Sequence, residues 1–375
     1  MVRPPFCPHR ECAAHHNQTQ GRWWVRRGYY YTGLSGAVQR FCCKLCGRVF
    51  GAQTFSVDYY AKRRVDYTEL AGLQASCAGV RQTARHLGVS CGTVENKTMR
   101  FARQALAAHV AVTDRLGVDE DLCADGLQSY WVSQYVPNNI TVLAGAKSRF
   151  VYRWNAASLR RSGTMTDRQR RRRNALEEMF RADPGALMRS FTDICDTLCR
   201  IVGDSTRSHT RLDTDCQKAY CHALTHHGGW AVLELAGRVS HRRTSSRAPR
   251  TASNPLAAVN TIDRQIRIDL AEHVRETVRF ARNPNRSMER FTVWAYLYNY
   301  HKRYLINQAA SDTTTHSTAA GIDSARVAIA TAGITRWRRF LSHTPITGEF
   351  RRIWLRMFER PYARGEEYLP KFLLA

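Results

Sequence analysis

Three cysteines stand within five positions of the stretch FCCKLCGRVF, residues 41–50. Cys43 and Cys46 form a C-x-x-C pair followed by Gly47. Two thiolates at that spacing reach one tetrahedral ion when the backbone turns sharply, and a glycine helps it turn. CPHREC supplies a second, looser pair in Cys7 and Cys12. The intervening GRWWVRRGYYYTGLSGAVQRF is rich in β-forming aromatics and predicts short strands. Two cysteine knuckles joined by strands make the pattern of a zinc ribbon, with Cys7, Cys12, Cys43 and Cys46 as ligands and His9, His15 and His16 as competing donors. Cys42 faces the other side of its strand and reads as a bystander. Such a zinc holds a small domain together and does no chemistry.

The second chemical signal is a set of isolated acids in a basic chain. The protein has 375 residues, with 57 Lys and Arg against 31 Asp and Glu, a formal net charge of +26. That balance calls for a polyanionic partner, of which nucleic acid is the commonest. No apolar stretch reaches spanning length, no basic helix has a greasy face, and the start, MVRPPFCPHREC, lacks a signal-like apolar segment. The expectation is a cytoplasmic, nucleoid-associated protein with no membrane contact and reduced thiols. Metal ligation then falls to the clustered cysteines, and the scattered Cys77, Cys123, Cys195, Cys199 and Cys221 read as small buried hydrophobes. Asp125 lies in a predicted strand between Ala124 and Gly126, Asp215 ends a second strand, and Asp263 sits on a helix after a basic loop. Three carboxylates from separate elements can hold two divalent ions, which stabilise attacking and leaving oxygens in phosphoryl transfer, and Mg²⁺ suits such oxygen ligands. From residue types alone, turn or cap roles suit Asp125 and Asp215 equally well.

The elements that would position these groups follow the chain. In SCAGVRQTARHLGVSCGTVENKTMRFARQAL, Val80, Ala84 and Leu87 share a helix face, Gly88 breaks the helix and Ser90 caps the next, which carries Val94. That is a helix-turn-helix plan, presenting Thr93, Asn96, Lys97 and Arg100 to DNA; the plain rival is a helical hairpin in a core. Residues from Asp119 to Trp154 predict a three-stranded meander with turns at VPNN and GAKS. Two helices broken at Asp183-Pro184 follow, the first carrying an arginine run at 168–173, a solvated face or a phosphate contact. HTRLDTD predicts a strand, residues 241–255 a basic loop, and 256–281 one long helix. The tail around TRWRRFLSHTPITGEFRRIWLRMFER mixes arginines with aromatics, as core with snorkelling arginines or as a DNA-contacting arm. The order predicts an α/β fold, a mixed sheet with helices on it.

Taken in order, CPHREC…RFCCKLCGRVF, RQTARHLGVSCGTV, ADGLQSY, SLRRSGTMTDRQRRRR, LDTDCQKAY, and NPLAAVNTIDRQIRIDLAEHVRETVRFARN with YLYNYHK behind it resemble a bacterial insertion-sequence transposase of the zinc-ribbon, helix-turn-helix, DDE type. The resemblance covers nearly the whole chain. It implies a ribonuclease H-like catalytic core with Asp125, Asp215 and Asp263 as catalytic acids on two Mg²⁺ ions (Mn²⁺ as a substitute), Asp standing third where Glu is more usual. It also suggests His241 near the metals. Arg160, Arg161 and Arg267 join the DNA-binding candidates, Arg267 because it shares a helix face with Asn260 and Asp263. Glu272 and Glu276 are the competitors for the third acid. The implied organisation is a ribbon over 1–56, a helix-turn-helix domain over 57–112, a catalytic domain over 113–310 with a helical insertion around 160–208, and a basic helical region over 311–375. The expected activity is binding of element ends, strand cleavage and strand transfer on double-stranded DNA by at least a dimer. The rivals are a regulator with an inactive core and a nuclease or integrase acting on other DNA.

Overall fold

The computed structural model describes residues 3–16, 21–245, 247–274 and 279–374. The cysteine-bearing N-terminus builds an antiparallel sheet in the order β1 (Trp24–Thr32), β2 (Gly36–Cys43), β3 (Val49–Gly51). Its core is aromatic: Phe6, Trp24, Phe41, Phe50 and Phe55 pack with Cys7, Cys12 and Cys43.

Three helices follow: α1 (Tyr67–Gln74), α2 (Val80–His86) and α3 (Cys91–Thr113). The turn between α2 and α3 is made as the residues demand. Gly88 takes φ of 63°, and the Ser90 side chain accepts a hydrogen bond from Thr93 N at 3.1 Å. Ala84 and Val94 meet beneath it, both buried. The second helix is far longer than a helix-turn-helix needs. It runs unbroken to Thr113 and packs along α9 (Pro284–Tyr300). Arg103 on α3 is buried against Glu289 of α9, which also holds Arg356.

The second sheet is mixed, in the order β6-β5-β4-β7-β8. β4 (Leu122–Tyr130), β5 (Pro137–Gly145) and β6 (Val151–Ser158) form the expected antiparallel meander. β7 (Thr210–Asp215) joins β4 in parallel, and β8 (Val239–Thr244) joins β7 in parallel. Parallel neighbours need long crossovers. α4 (Asp167–Glu177) and α5 (Ala186–Gly203) make the first, and α6 (Lys218–Thr225) and α7 (Gly228–Leu235) the second. On α5 the residues Leu187, Phe191, Ile194, Leu198 and Ile201 fall at helical period and are all buried, so that stripe seats the helix on β5 and β6. α8 (Ala257–Asp269) crosses β4 and β5.

Two expectations are corrected here, and one open alternative is decided. Residues 241–244 are not loop but the edge strand β8; the basic loop begins at Ser245. The predicted long helix stops at Asp269, where Leu270 turns extended (φ −113°, ψ 112°). The aromatic tail is core rather than a free arm. Beyond α10 (His316–Ala319) and α11 (Ser324–Thr331), α12 (Gly348–Trp354) buries Phe350, Ile353 and Trp354. Phe340 joins the N-terminal aromatic core, and the His343 ring stacks on Phe6 with centroids 3.9 Å apart.

Candidate active site and metal centre

The knuckles close on each other. Cys7 Sγ lies 3.6 Å from Cys46 Sγ, Cys12 Sγ lies 3.7 Å from Cys43 Sγ, and all four sulfurs fall within 4.8 Å of one another. Four thiolates at about 2.3 Å from a tetrahedral ion stand about 3.8 Å apart, so this set can hold a metal ion. Gly47 takes φ of 68° and its N–H donates to Cys43 O at 3.0 Å, which folds the C-x-x-C pair inward. The competing histidines are outside the set. His15 Nδ1 pairs with Cys7 O at 2.7 Å and His16 Nε2 with Arg10 O at 2.9 Å, while His9 approaches Glu11 at 3.8 Å. Cys42 points its thiol at Gly47 O, away from the cluster.

The three aspartates meet in a different kind of place. Cys123 pairs with Asp213 and Ala124 with Thr214 across the parallel β4–β7 ladder, so Asp125 and Asp215 come next on adjacent strands. Alternation puts them on one face, and neighbouring strands lie about 4.8 Å apart. α8 crosses that face on buried Val259, Ile262 and Ile266, and so delivers Asp263 to the same cleft. The cleft has a volume of about 1050 Å³ and is lined by all three acids. Its other charged lining residues are Lys147, Arg149, Arg250, Arg264 and Arg267, all cations. Gly126 lets β5 approach: a Cβ there would sit 2.1 Å from Asn139 Nδ2.

Burial raises all three carboxyls. Asp125 is pushed up to about 6 by burial and the Asp215 charge, and Asp263 to about 8 by burial and the Asp125 charge. Asp215 is raised by burial, although its Oδ1 accepts from Gln217 N at 2.9 Å. Asp263 Oδ1 is buried with no hydrogen-bond partner. A buried carboxylate oxygen left without a donor fits a cation. The acids are spread wider than the cysteines: among the described residues, the cysteine set is the one whose donor atoms all come within 4.8 Å.

Glu272 is removed from the contest for third acid. It is buried, accepting from Ser287 Oγ at 2.8 Å and from Arg290. Glu276 lies outside the described residues. His241 is not brought to the cleft. Its Nε2 pairs with Thr214 Oγ1 at 2.8 Å and its ring faces Trp230, on the side of the sheet opposite Asp125. Arg267 does line the cleft, donating to His273 O and Gln128 O at 3.1 and 3.2 Å. Arg160 grips Glu177 through two hydrogen bonds, Arg161 lies over Tyr135, and neither lines the cleft.

The start of α3 needs a larger correction. Thr93 and Asn96 remain partly exposed, but Lys97 and Arg100 are buried, 1% and 4% exposed. Lys97 pairs with Asp58, and Arg100 donates to Val57 O and Tyr59 O, both at 2.7 Å, and to Asn96. They hold the linker to the helix, and what little of them is exposed lines a groove there. That groove, of about 300 Å³, is lined by Lys97 and Arg100 together with Ser90, Thr93, Asn96, Lys62 and Arg63. Lys62 and Arg63 are exposed and were missed, although AKRR was legible as a cationic run.

Comparison with family models and with curated proteins gave no match for this chain. The site's chemistry is therefore read from its own geometry: a closed thiolate cluster in a small sheet, and an open cleft with acids at its floor and cations around them.

Proposed function

We propose that the protein is a DNA transposase, in which a zinc ribbon and a helix-turn-helix bind the ends of a mobile element and a ribonuclease H-like core cuts and joins strands. The observation that carries this is the convergence of Asp125, Asp215 and Asp263, from two adjacent strands and a crossing helix, in one cleft whose remaining charges are positive. The strand order supports the core assignment, because it sets the first and fourth strands of the sheet side by side so that their acids share one edge. The four-sulfur geometry supports Zn²⁺ at the ribbon. The groove at the start of α3 supports DNA contact by Thr93, Asn96, Lys62 and Arg63, with Lys97 and Arg100 lining it from nearly enclosed positions.

Asp125, Asp215 and Asp263 would hold two Mg²⁺ ions, which supply charge stabilisation to the attacking and leaving oxygens. The chain's own residues set the stage. Lys147, Arg149, Arg250 and Arg264 hold the phosphodiester backbone over the acids, and Arg267 does so while anchored to two carbonyls. Cleavage is attack of water on phosphorus, releasing a 3′-hydroxyl. Strand transfer is attack of that hydroxyl on a target phosphorus, releasing another. Both are in-line displacements, so one cleft serves both. Two ends must be held together, which calls for at least a dimer.

The test is cleavage of a duplex carrying the element's terminal sequence, in Mg²⁺, by wild type and by Asp125→Asn, Asp215→Asn and Asp263→Asn. Each amide keeps its size, loses its charge, and is expected to abolish cutting while end binding persists. Full activity in all three variants would overturn the reading. Binding without cutting by the wild type would leave a DNA-binding regulator in its place.

A further inference from the structure

A second cleft, of about 410 Å³, opens on the N-terminal sheet, within the range of about 300–1,000 Å³ typical of small-molecule sites. Its floor and walls are aromatic, from Tyr30, Phe50, Tyr59 and Tyr60, and its charged residues are Arg40 and Arg48. No acid lines it, and none lines the groove at the start of α3. Arg40 and Arg48 are exposed and have no ion-pair partner among the described residues. The floor is rigid. Tyr30 is seated so closely on Gly51 that a Cβ there would come within 2.5 Å of its hydroxyl, and that hydroxyl accepts from Gln53 Nε2 at 2.7 Å.

Tyr60 is the junction. It lines both this cleft and the groove holding Thr93, Lys62 and Arg63. It is 68% exposed, and its φ is 58°, a left-handed conformation that a bulky side chain rarely adopts. Its ring centroid lies 4.2 Å from that of Tyr59. A large ring held outward on a strained backbone, between two acid-free basic grooves, is shaped to receive something flat and anionic. Cationic rim plus aromatic platform is the chemistry of single-stranded nucleic acid, since each base has a π-face and each linkage a phosphate. A duplex backbone would need the cations but not the rings.

Resting on the DNA-binding reading above, we propose that the N-terminal cleft takes an unpaired base of the bound DNA, stacked on Tyr60, with Arg40 and Arg48 on the phosphates beside it. The ribbon would then do more than hold its metal. It would recognise the place where a duplex gripped at α3 becomes single-stranded, as at a frayed or cut end.

The experiment uses the full-length zinc-loaded protein and two probes: a short blunt duplex, and the same duplex with a short single-stranded extension whose first unpaired position is 2-aminopurine. Wild type is expected to favour the extended probe by about tenfold and to quench its fluorescence, since one base–aromatic stack contributes on that order. Tyr60→Ala should bring the ratio of the two affinities close to unity and remove the quenching, and Tyr60→Phe should restore both. Tyr60→Leu keeps the bulk without the aromatic face and guards against a folding defect in the alanine variant. Arg40→Ala with Arg48→Ala should lower the salt slope for the extended probe by about 1.4. Equal affinity of wild type for the two probes, or quenching that survives in both Tyr60→Ala and Tyr60→Leu, would overturn this inference and leave duplex binding standing. Failure of wild type to bind either probe would overturn the DNA-binding reading itself.

Discussion

The cysteine cluster and the acid cleft are both sets of ligands, built in opposite ways. The cysteines come from two local knuckles and close to within 4.8 Å, mostly buried in an aromatic core. Soft thiolates filling a whole tetrahedron would leave no position open, so an ion held there would only brace the fold. The aspartates come from elements up to 138 residues apart (Asp125 to Asp263), stay wider than one ion's shell, and open on a cleft of about 1050 Å³. Hard, incompletely filled ligands leave room for water and substrate. In the proposed reading the contrast gives stability to one region and chemistry to the other, and mutation can break or sharpen it.

The largest effect should come from the closed set. Cys43→Ser removes one of four thiolates and is expected to release the metal and melt the small sheet, a loss of several kcal/mol read as zinc content and as the first step of thermal unfolding. Retention of full zinc would break the comparison at once. The amide variants of the acids should behave in the reverse sense. They should lower cleavage by at least about a thousandfold, on the scale of removing a dominant electrostatic group, while the melting temperature in metal-free buffer holds or rises. A fall in melting temperature would mean that the carboxylates brace the fold, as the cysteines do.

A third region limits both at acid pH. His109 is fully enclosed, its Nδ1 paired with Tyr300 Oη at 2.9 Å and its Nε2 with Tyr152 O at 3.0 Å. Burial pushes it down from 6.5 to about 4, despite the carbonyl of Tyr152. The unfolded chain therefore takes up the proton first as pH falls. The stability from the neutral ring is whole above pH about 6.5 and drains by about 3 kcal/mol on the way to pH about 4. Denaturant melts across that window should show the slope, and His109→Gln should flatten it. The smallest effect should be at His15, which supports a metal ligand without being one. His15→Ala is expected to weaken zinc binding about tenfold, by analogy with outer-shell supports, as measured by competition with a chelator.

What could be read from residues alone follows the same division. The cysteine set, the glycine turn with its Ser90 cap, and the meander were legible because each is decided within a few positions. The arrangement of the aspartates in one cleft depends on β7 inserting beside β4, which no local pattern encodes. The burial of Lys97 and Arg100 was hidden for the same reason. Their partners, Asp58, Val57 and Tyr59, lie about forty residues earlier, and those contacts enclose most of two side chains that a helical projection would give to solvent. β8 hid because an edge strand tolerates HRRT, which reads as loop. The tail's arginines and aromatics were ambiguous until Phe340 and Trp354 were seen in two different cores.

The unbroken length of α3 has a mechanical consequence. Its 23 residues make a rod of about 34 Å at 1.5 Å per residue, close to one turn of duplex DNA. One end lies in the groove with Thr93 and the other is clamped by α9 under the five-stranded sheet, with no glycine or proline after the first turn to act as a joint. In the proposed transposase such a rod is a ruler. The distance from the recognised sequence to the scissile phosphate would be set by the helix rather than by a linker, so cutting would keep a constant offset in base pairs, and a half-turn of DNA inserted between the two would point the cleavage site at the wrong side of the duplex.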